Sequence, residues 1–233
     1  MNTTTHSSSV QSSRFKDAPW FNEIAERVIV GGAGGIGSWL SFFLVRAGFE
    51  PIIYDFDTVE EHNLGGQLFR QKDVGRLKIE ATADIINTFS NKAISGFALP
   101  VDITTPHHHF AFSAFDNMKA RRDLFEVWKK SHAGASVTPL LIDGRLTMEQ
   151  VQILCVTPEN MDRYEQEYLF DDSEVEDAAC TLRSTTHSAA LIASLMTGFF
   201  TNHISNINER KLIRTVPFYY EFFIPQVLTD LIT

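Results

Sequence analysis

Cysteine is scarce in this chain, with only Cys155 and Cys180 among 233 residues. Two thiols make neither a disulfide framework nor a zinc cluster, and they point to a reducing compartment. Basic residues are outnumbered, 20 Lys and Arg against 29 Asp and Glu, giving a net charge of −9. That balance argues against nucleic acid as the main partner. Long hydrophobic runs are missing too. The longest apolar stretch, Ala189 to Phe200, is interrupted by Ser194, Thr197 and Gly198, so no membrane span is expected. The first residues lack the charged-then-apolar order of a secretory signal, and a cytoplasmic location is the expectation. Residues 1–13 are mostly Ser, Thr, Asn and Gln. They read as a disordered tail ahead of one domain spanning 14–233.

What the chain does have is apolar bulk, 44% hydrophobic residues including 19 Phe. Short apolar runs alternate with helical patterns. Strands are expected at Val28–Gly31, Pro51–Asp55, Ile94–Leu99, Phe110–Phe115, Pro139–Asp143 and Val151–Val156. Helices are expected at Ile36–Ala47, Lys78–Phe89, Asn117–Lys130 and Thr186–His203. This alternation predicts an α/β fold with a doubly wound, mostly parallel sheet of Rossmann-like type. In such sheets ligands sit beyond the carboxyl ends of the strands. Gly31, Asp55 and Asp116 all fall at such ends.

The first of these ends is rich in glycine. Gly32-x-Gly34-x-x-Gly37, with Gly35 between, joins the first strand to the first helix. Glycine admits sharp turns and close backbone approach, and a helix N-terminus presents amides to a phosphate. The spacing is the dinucleotide fingerprint, weak when it stands alone. Asp55, 18 residues after Gly37, is placed to accept the hydroxyls of a ribose. Asp57 is placed to hydrogen-bond the loop that follows. Asp116-Asn117 has two compatible roles, a helix N-cap and a Mg²⁺ ligand beside phosphates. Lys78 opens a helix, where its ammonium is either an ordinary surface charge or a partner for a leaving pyrophosphate.

Other residues carry two readings each. Cys155 lies in an apolar strand and is expected in the core. Cys180, with Arg183 and His187 nearby and a helix to follow, is either a structural thiol or an activated nucleophile. His107-His108-His109 reads as a solvated loop, because three consecutive side chains of an extended segment cannot all face one ion. Thr157 to Ala179 holds nine acidic residues and one basic one, Arg163. It reads as an acidic crossover loop that is either merely solvated or guides a basic partner by charge.

Taken together, four segments resemble the ThiF/MoeB/HesA family of adenylating enzymes, relatives of the ubiquitin-activating enzymes. They are Val-Ile-Val-Gly-Gly-Ala-Gly-Gly-Ile-Gly-Ser38, Tyr-Asp-Phe-Asp-Thr-Val-Glu-Glu-His-Asn-Leu64, Asp-Val-Gly-Arg-Leu-Lys78 and Phe-Asp-Asn-Met-Lys-Ala-Arg121. The resemblance implies ATP-dependent adenylation of the C-terminal carboxylate of a small ubiquitin-like or sulfur-carrier protein, or of a peptide. It implies that Gly34 and Gly35 approach the phosphates, Asp55 holds the ribose, and Asn63 and Lys78 contact phosphates. Gln67 belongs to the same motif, Asn117 to the Asp116 corner, and Asp116 would organise Mg²⁺. Cys180 matches the cysteine that takes the activated carboxylate as a thioester in some members. Members are typically homodimers in which an N-terminal arginine enters the partner's site, and Arg14 is the tail arginine that could serve.

Two departures stand out. The family pattern Asn-Leu-x-Arg-Gln reads Asn63-Leu-Gly-Gly-Gln67 here, with Gly66 in place of arginine. Glycine offers no bidentate fork to a phosphate; Arg70 or Arg76 would have to reach in, or adenylation is weakened. The paired Cys-x-x-Cys motifs of many bacterial members are absent, and no zinc is expected. A nucleotide-binding interaction module without catalysis is therefore the second reading. An NAD-linked oxidoreductase is disfavoured, since it leaves Asn63, Lys78 and Asp116 without a shared task.

Overall fold

Val28-Ile29-Val30 is fully buried on both faces and forms the centre of β1 (Arg27–Gly31). Continuous β-branched runs of this kind belong to parallel strands covered by helices on both sides. The computed structural model describes residues 15–21, 27–90, 94–132, 134–147, 150–170 and 185–224. β1 pairs in parallel with β2 (Glu50–Tyr54) on one side and with β4 (Phe110–Ser113) on the other. β3 (Ser95–Phe97) extends the sheet beyond β2, and β5 (Leu140–Thr147) lies beyond β4, both parallel. β6 (Gln150–Val156) and β7 (Tyr219–Phe223) complete it in antiparallel pairing. The order β3-β2-β1-β4-β5-β6-β7 is Rossmann-like and mostly parallel, as expected. β5 runs four residues past the expected Asp143, and β6 pairs back along it from Thr147.

Alternation along the strands divides the core. Val28, Val30, Phe110, Phe112, Leu140 and Ile142 pack with α1 (Gly35–Ala47) and α5 (Thr186–Glu209). Ile79 of α2 (Lys78–Asn87) joins them. Ile29, Ala111 and Leu141 face the other way, toward Leu124, Phe125 and Trp128 of α3 (Met118–Lys129). Much of the phenylalanine is spent on the first face, where the ring of Phe200 lies 4.6 Å from that of Phe49 and 5.2 Å from those of Phe110 and Phe112. Cys155 is buried in this core, and burial pushes its thiol far above the ordinary range. It is inert packing, as expected.

One expectation needs correction. The acidic stretch is not a loop throughout, because α4 (Met161–Tyr168) forms inside it. Met161, Tyr164 and Tyr168 recur at helical spacing, and all three pack on the second core, with Tyr164 fully buried. The acids populate the outer side of an amphipathic helix. Lys129 of α3 reaches Glu165 of α4 at 2.8 Å. Residues 1–13, Arg14 and Cys180 lie outside the described residues. No helix among the described residues is long and apolar enough to cross a membrane.

Candidate functional site

The sheet order reverses between β2 and β4 around β1, and the carboxyl ends of those strands open into a cavity of about 1390 Å³. This is the topological switch point at which doubly wound folds bind ligands. The glycine turn forms its floor. Gly32 adopts φ +90°, and its amide donates to the carbonyl of Tyr54 at 2.9 Å. Gly37 does not face the cavity. A Cβ there would fall 1.8 Å from the carbonyl oxygen of Gly32, so glycine is required for α1 to start this close to β1. Gly34 faces open space, with no atom of the described residues within 4 Å of an added Cβ. It begins α1 without a side-chain cap, and no acidic residue occupies the first turn. The positive end of the helix dipole is directed at the cavity wall formed by Gly34 and Gly35.

Asp55 follows β2. One carboxylate oxygen accepts from the Ala33 amide at 2.6 Å, the other from the Asp57 amide at 2.8 Å. Burial pushes its carboxyl above the ordinary value, against the pull of these amides and of Lys78. The bond to Ala33 ties the acid to the glycine turn, and both line the cavity or adjoin it. Asp57 is not merely a loop residue. Its carboxylate receives Lys78 Nζ at 2.8 Å, and its carbonyl accepts the Lys78 amide at 2.9 Å. The lysine at the start of α2, only 10% exposed along its side chain, is thereby fixed in the cavity wall.

Asn63 sits in a 3-10 turn, Glu61–Gly65. Its Oδ1 accepts from the Glu60 amide at 2.9 Å, so half of the amide group serves the turn itself. Gln67 lines the same wall with a buried Oε1 that has no partner among the described residues. At the opposite rim, Asn117 Oδ1 caps α3 by accepting from the Ala120 amide at 2.8 Å. Its Nδ2 donates to the exposed Asp116 at 3.2 Å, and Asp116 opens to the cavity. Ten of the expected residues thus adjoin one space: Gly32, Gly34, Gly35, Asp55, Asp57, Asn63, Gln67, Lys78, Asp116 and Asn117. Gly37 underlies it.

Neither replacement for the arginine missing at Gly66 enters the cavity. Arg70 grips Asp73 through Nε at 2.8 Å and Nη2 at 2.9 Å, and also reaches Asp84. Arg76 binds Asp73 at 2.9 Å and Asp84 at 3.4 Å. Asp73 is fully buried, so these bonds are needed to offset its desolvation, which the two guanidiniums overcome to hold its carboxyl below the ordinary value. Both arginines are committed to bracing the loop before α2. The three histidines lie at the amino end of β4, away from the cavity, with His108 and His109 half-buried rather than wholly solvated. Among the described residues no group of three His, Cys, Asp or Glu is placed to hold a metal ion.

A further constellation was not visible in sequence. Asp143, fully buried in β5, is bonded by Arg121 of α3, by Arg145 Nε at 2.8 Å and by the Tyr164 hydroxyl at 2.9 Å. Arg121 also donates to the carbonyl of Phe115, the residue before Asp116. The cluster therefore fixes the corner that presents Asp116. Gly65, Lys119, Asp123, Thr147 and Thr185 also line the cavity, and Thr186 at the start of α5 donates to the Gly65 carbonyl at 2.7 Å.

A donor set of this kind suits a nucleotide with a divalent cation. Gly34 leaves room where a phosphate must approach the backbone. Asp116 offers a single carboxylate with hard oxygen donors, which suits an ion held largely by phosphates.

Comparison with known proteins gives a family and a fold. The family described as the ThiF family matches residues 23–225. The catalytic subunit of the NEDD8-activating enzyme E1 of Dictyostelium discoideum is 45% identical over 64 residues, 27% of this chain and 14% of that protein. The structure of E. coli MccB with ATP superimposes with a TM-score of 0.60 at 19% identity, covering 85% of this chain and 64% of that one. E. coli tRNA N6-threonylcarbamoyladenosine dehydratase, TcdA, gives 0.61 at 14% identity, covering 86% and 95%. The similarity to the solved structures is one of fold, and the chain spans only a small part of its curated relative.

Proposed function

The chain belongs to the ThiF family, and from that premise we propose that it adenylates a carboxylate, using ATP and Mg²⁺ in the cavity at the β1 switch point. The observation that carries the proposal is the convergence of Gly34, Gly35, Asp55, Asn63, Lys78 and Asp116 on that one space. Asp55 keeps lone pairs for ribose hydroxyls beyond those used by Ala33 and Asp57. The open amide end of α1 receives phosphate. Lys78, with three donors and one given to Asp57, faces the negative charge that grows on the leaving group. Asp116 would hold Mg²⁺, which would neutralise charge on the phosphates.

In the proposed step a carboxylate oxygen attacks the α-phosphorus of ATP. An oxygen–phosphorus bond forms, the α–β anhydride bond breaks, and pyrophosphate leaves with that electron pair. Positioning and preorganised charge supply the rate. The acceptor is a small carrier protein or peptide with a free C-terminal carboxylate, and Cys180 is the proposed recipient of the acyl group. Its sulfur, having lost its proton to solvent, forms a thioester with the carbonyl carbon as the acyl–phosphate bond breaks and AMP leaves with that electron pair. The relationship to the E1 subunit and the ATP complex of MccB support this reading. A homodimer in which Arg14 enters the neighbouring site is part of the same proposal. Mass spectrometry after mixing the protein with ATP, Mg²⁺ and a candidate carrier tests it. An adduct that forms on wild type and disappears in Cys180→Ala is expected; a carrier left unmodified by a chain that binds ATP contradicts it.

A second reading has a specific basis. Gly66 lacks the family's arginine, and Arg70 and Arg76 are committed to Asp73 and Asp84. A nucleotide-binding module retained for partner binding fits those facts. It predicts that Asp116→Ala leaves the cellular role intact, and loss of that role refutes it.

A further inference from the structure

Among the described residues the cavity wall is short of positive charge for a polyphosphate. Five described carboxylates line it, Asp55, Asp57, Glu60, Asp116 and Asp123. Among the described lining residues only His62, Lys78 and Lys119 can carry positive charge. Lys78 is held by Asp57, and His62 lies 3.2 Å from Glu60. Lys119 differs from both. Its side chain is 80% exposed, and its bond to Asp123, 2.6 Å long, is an exposed i,i+4 pair of the kind that contributes little.

Its position is also unfavourable for the helix that carries it. Lys119 occupies the first turn of α3, where the dipole repels a cation, and it precedes its acidic partner, the weaker order for such a pair. No acid occupies that turn. A lysine that helix stability does not call for stands three residues after Asp116, at the rim of a cavity lacking its usual arginine. Building on the nucleotide reading above, we propose that Lys119 supplies the cation absent at Gly66, leaving Asp123 to contact the β- and γ-phosphates of bound ATP.

The ammonium on its four-carbon stem is a mobile point charge, suited to a polyphosphate though without the fork of an arginine. Breaking the pair with Asp123 costs little because both groups stay solvated. Gly66 adopts no glycine-specific backbone: its φ of −137° is open to other residues, and the bond it accepts from Trp39 Nε1 uses only its carbonyl.

Calorimetric titration of ATP and of AMP, each with Mg²⁺, into wild type, Lys119→Met and Lys119→Met/Gly66→Arg tests the assignment. Lys119→Met is expected to weaken ATP by about tenfold and AMP by less than about twofold, with the ATP deficit shrinking at high salt. Adding Gly66→Arg is expected to restore most of the ATP affinity. Equal weakening of both nucleotides, or unchanged ATP affinity, overturns the role of Lys119. Failure of wild type to bind ATP at all refutes the nucleotide reading itself, and this inference with it, and is distinguishable because it precedes any substitution.

Discussion

Replacing Asp143 with alanine should be the most damaging single change in the sheet. The carboxylate is fully buried between Arg121 and Arg145, whose side chains are only 7% and 10% exposed. Removing it leaves two nearly buried guanidiniums without their anion and the Tyr164 hydroxyl without its acceptor. Breaking one side of a buried ion pair costs about 3–5 kcal/mol. At about 2–4 °C per kcal/mol for a chain of this size, the melting temperature should fall by about 6–20 °C. Urea unfolding followed by circular dichroism measures the free-energy change directly. The pH dependence gives a second check. Burial would raise the Asp143 carboxyl, but Arg121 and Arg145 overrule it and hold the carboxyl below 3.8. Its stabilisation is thus complete above the unfolded value and lost as pH falls through the lower folded one. The gap between wild type and Asp143→Ala should narrow only below about pH 4. A triple replacement of Asp143, Arg121 and Arg145 by apolar residues of similar volume should recover much of the loss. A cost below about 1 kcal/mol for Asp143→Ala would refute the claim that this cluster holds β5, α3 and α4 together.

Phe200→Ala should destabilise by about 3–5 kcal/mol, because its ring is 1% exposed and touches three other phenylalanine rings across α5, β4 and the end of α1; chemical denaturation reads this out. Nucleotide affinity should fall with decreasing pH earlier than an ordinary aspartate would dictate. Asp55 accepts ribose hydroxyls more strongly when ionised, and its burial raises its carboxyl above 3.8. Titrations across the acid range, compared with Asp55→Asn, would show a pH-dependent loss in wild type that the variant lacks.

Residues whose roles are local were legible in the sequence. The glycine turn, Asp55 at the end of β2 and Asp116-Asn117 after β4 are fixed by strand ends, which apolar runs and turn residues mark. Asn117 as a cap could be read for the same reason. Relationships between distant elements were not. Asp143 meets Arg121 and Tyr164 across gaps of 22 and 21 residues, and no periodic pattern connects them. Arg70 and Arg76 are near enough to Gly66 in sequence to be candidates for the phosphates. Their capture by Asp73 and Asp84 depends on a buried carboxylate whose burial composition does not reveal. α4 was hidden because charge count outweighed the spacing of Met161, Tyr164 and Tyr168. Lys119 did leave a signal, a lysine in the first turn of a helix, which gains meaning only once Asp116 and Gly66 are seen to share a cavity with it.

The activity proposed for the cavity is transfer of AMP to a carboxylate. ATP–pyrophosphate exchange measures that step alone, without any later transfer. With Mg²⁺ and a carrier or peptide bearing a free C-terminal carboxylate, label from pyrophosphate should enter ATP, and Asp55→Ala and Lys78→Ala should each reduce the rate by more than about tenfold. Tight ATP binding with no exchange for any such acceptor would contradict the account.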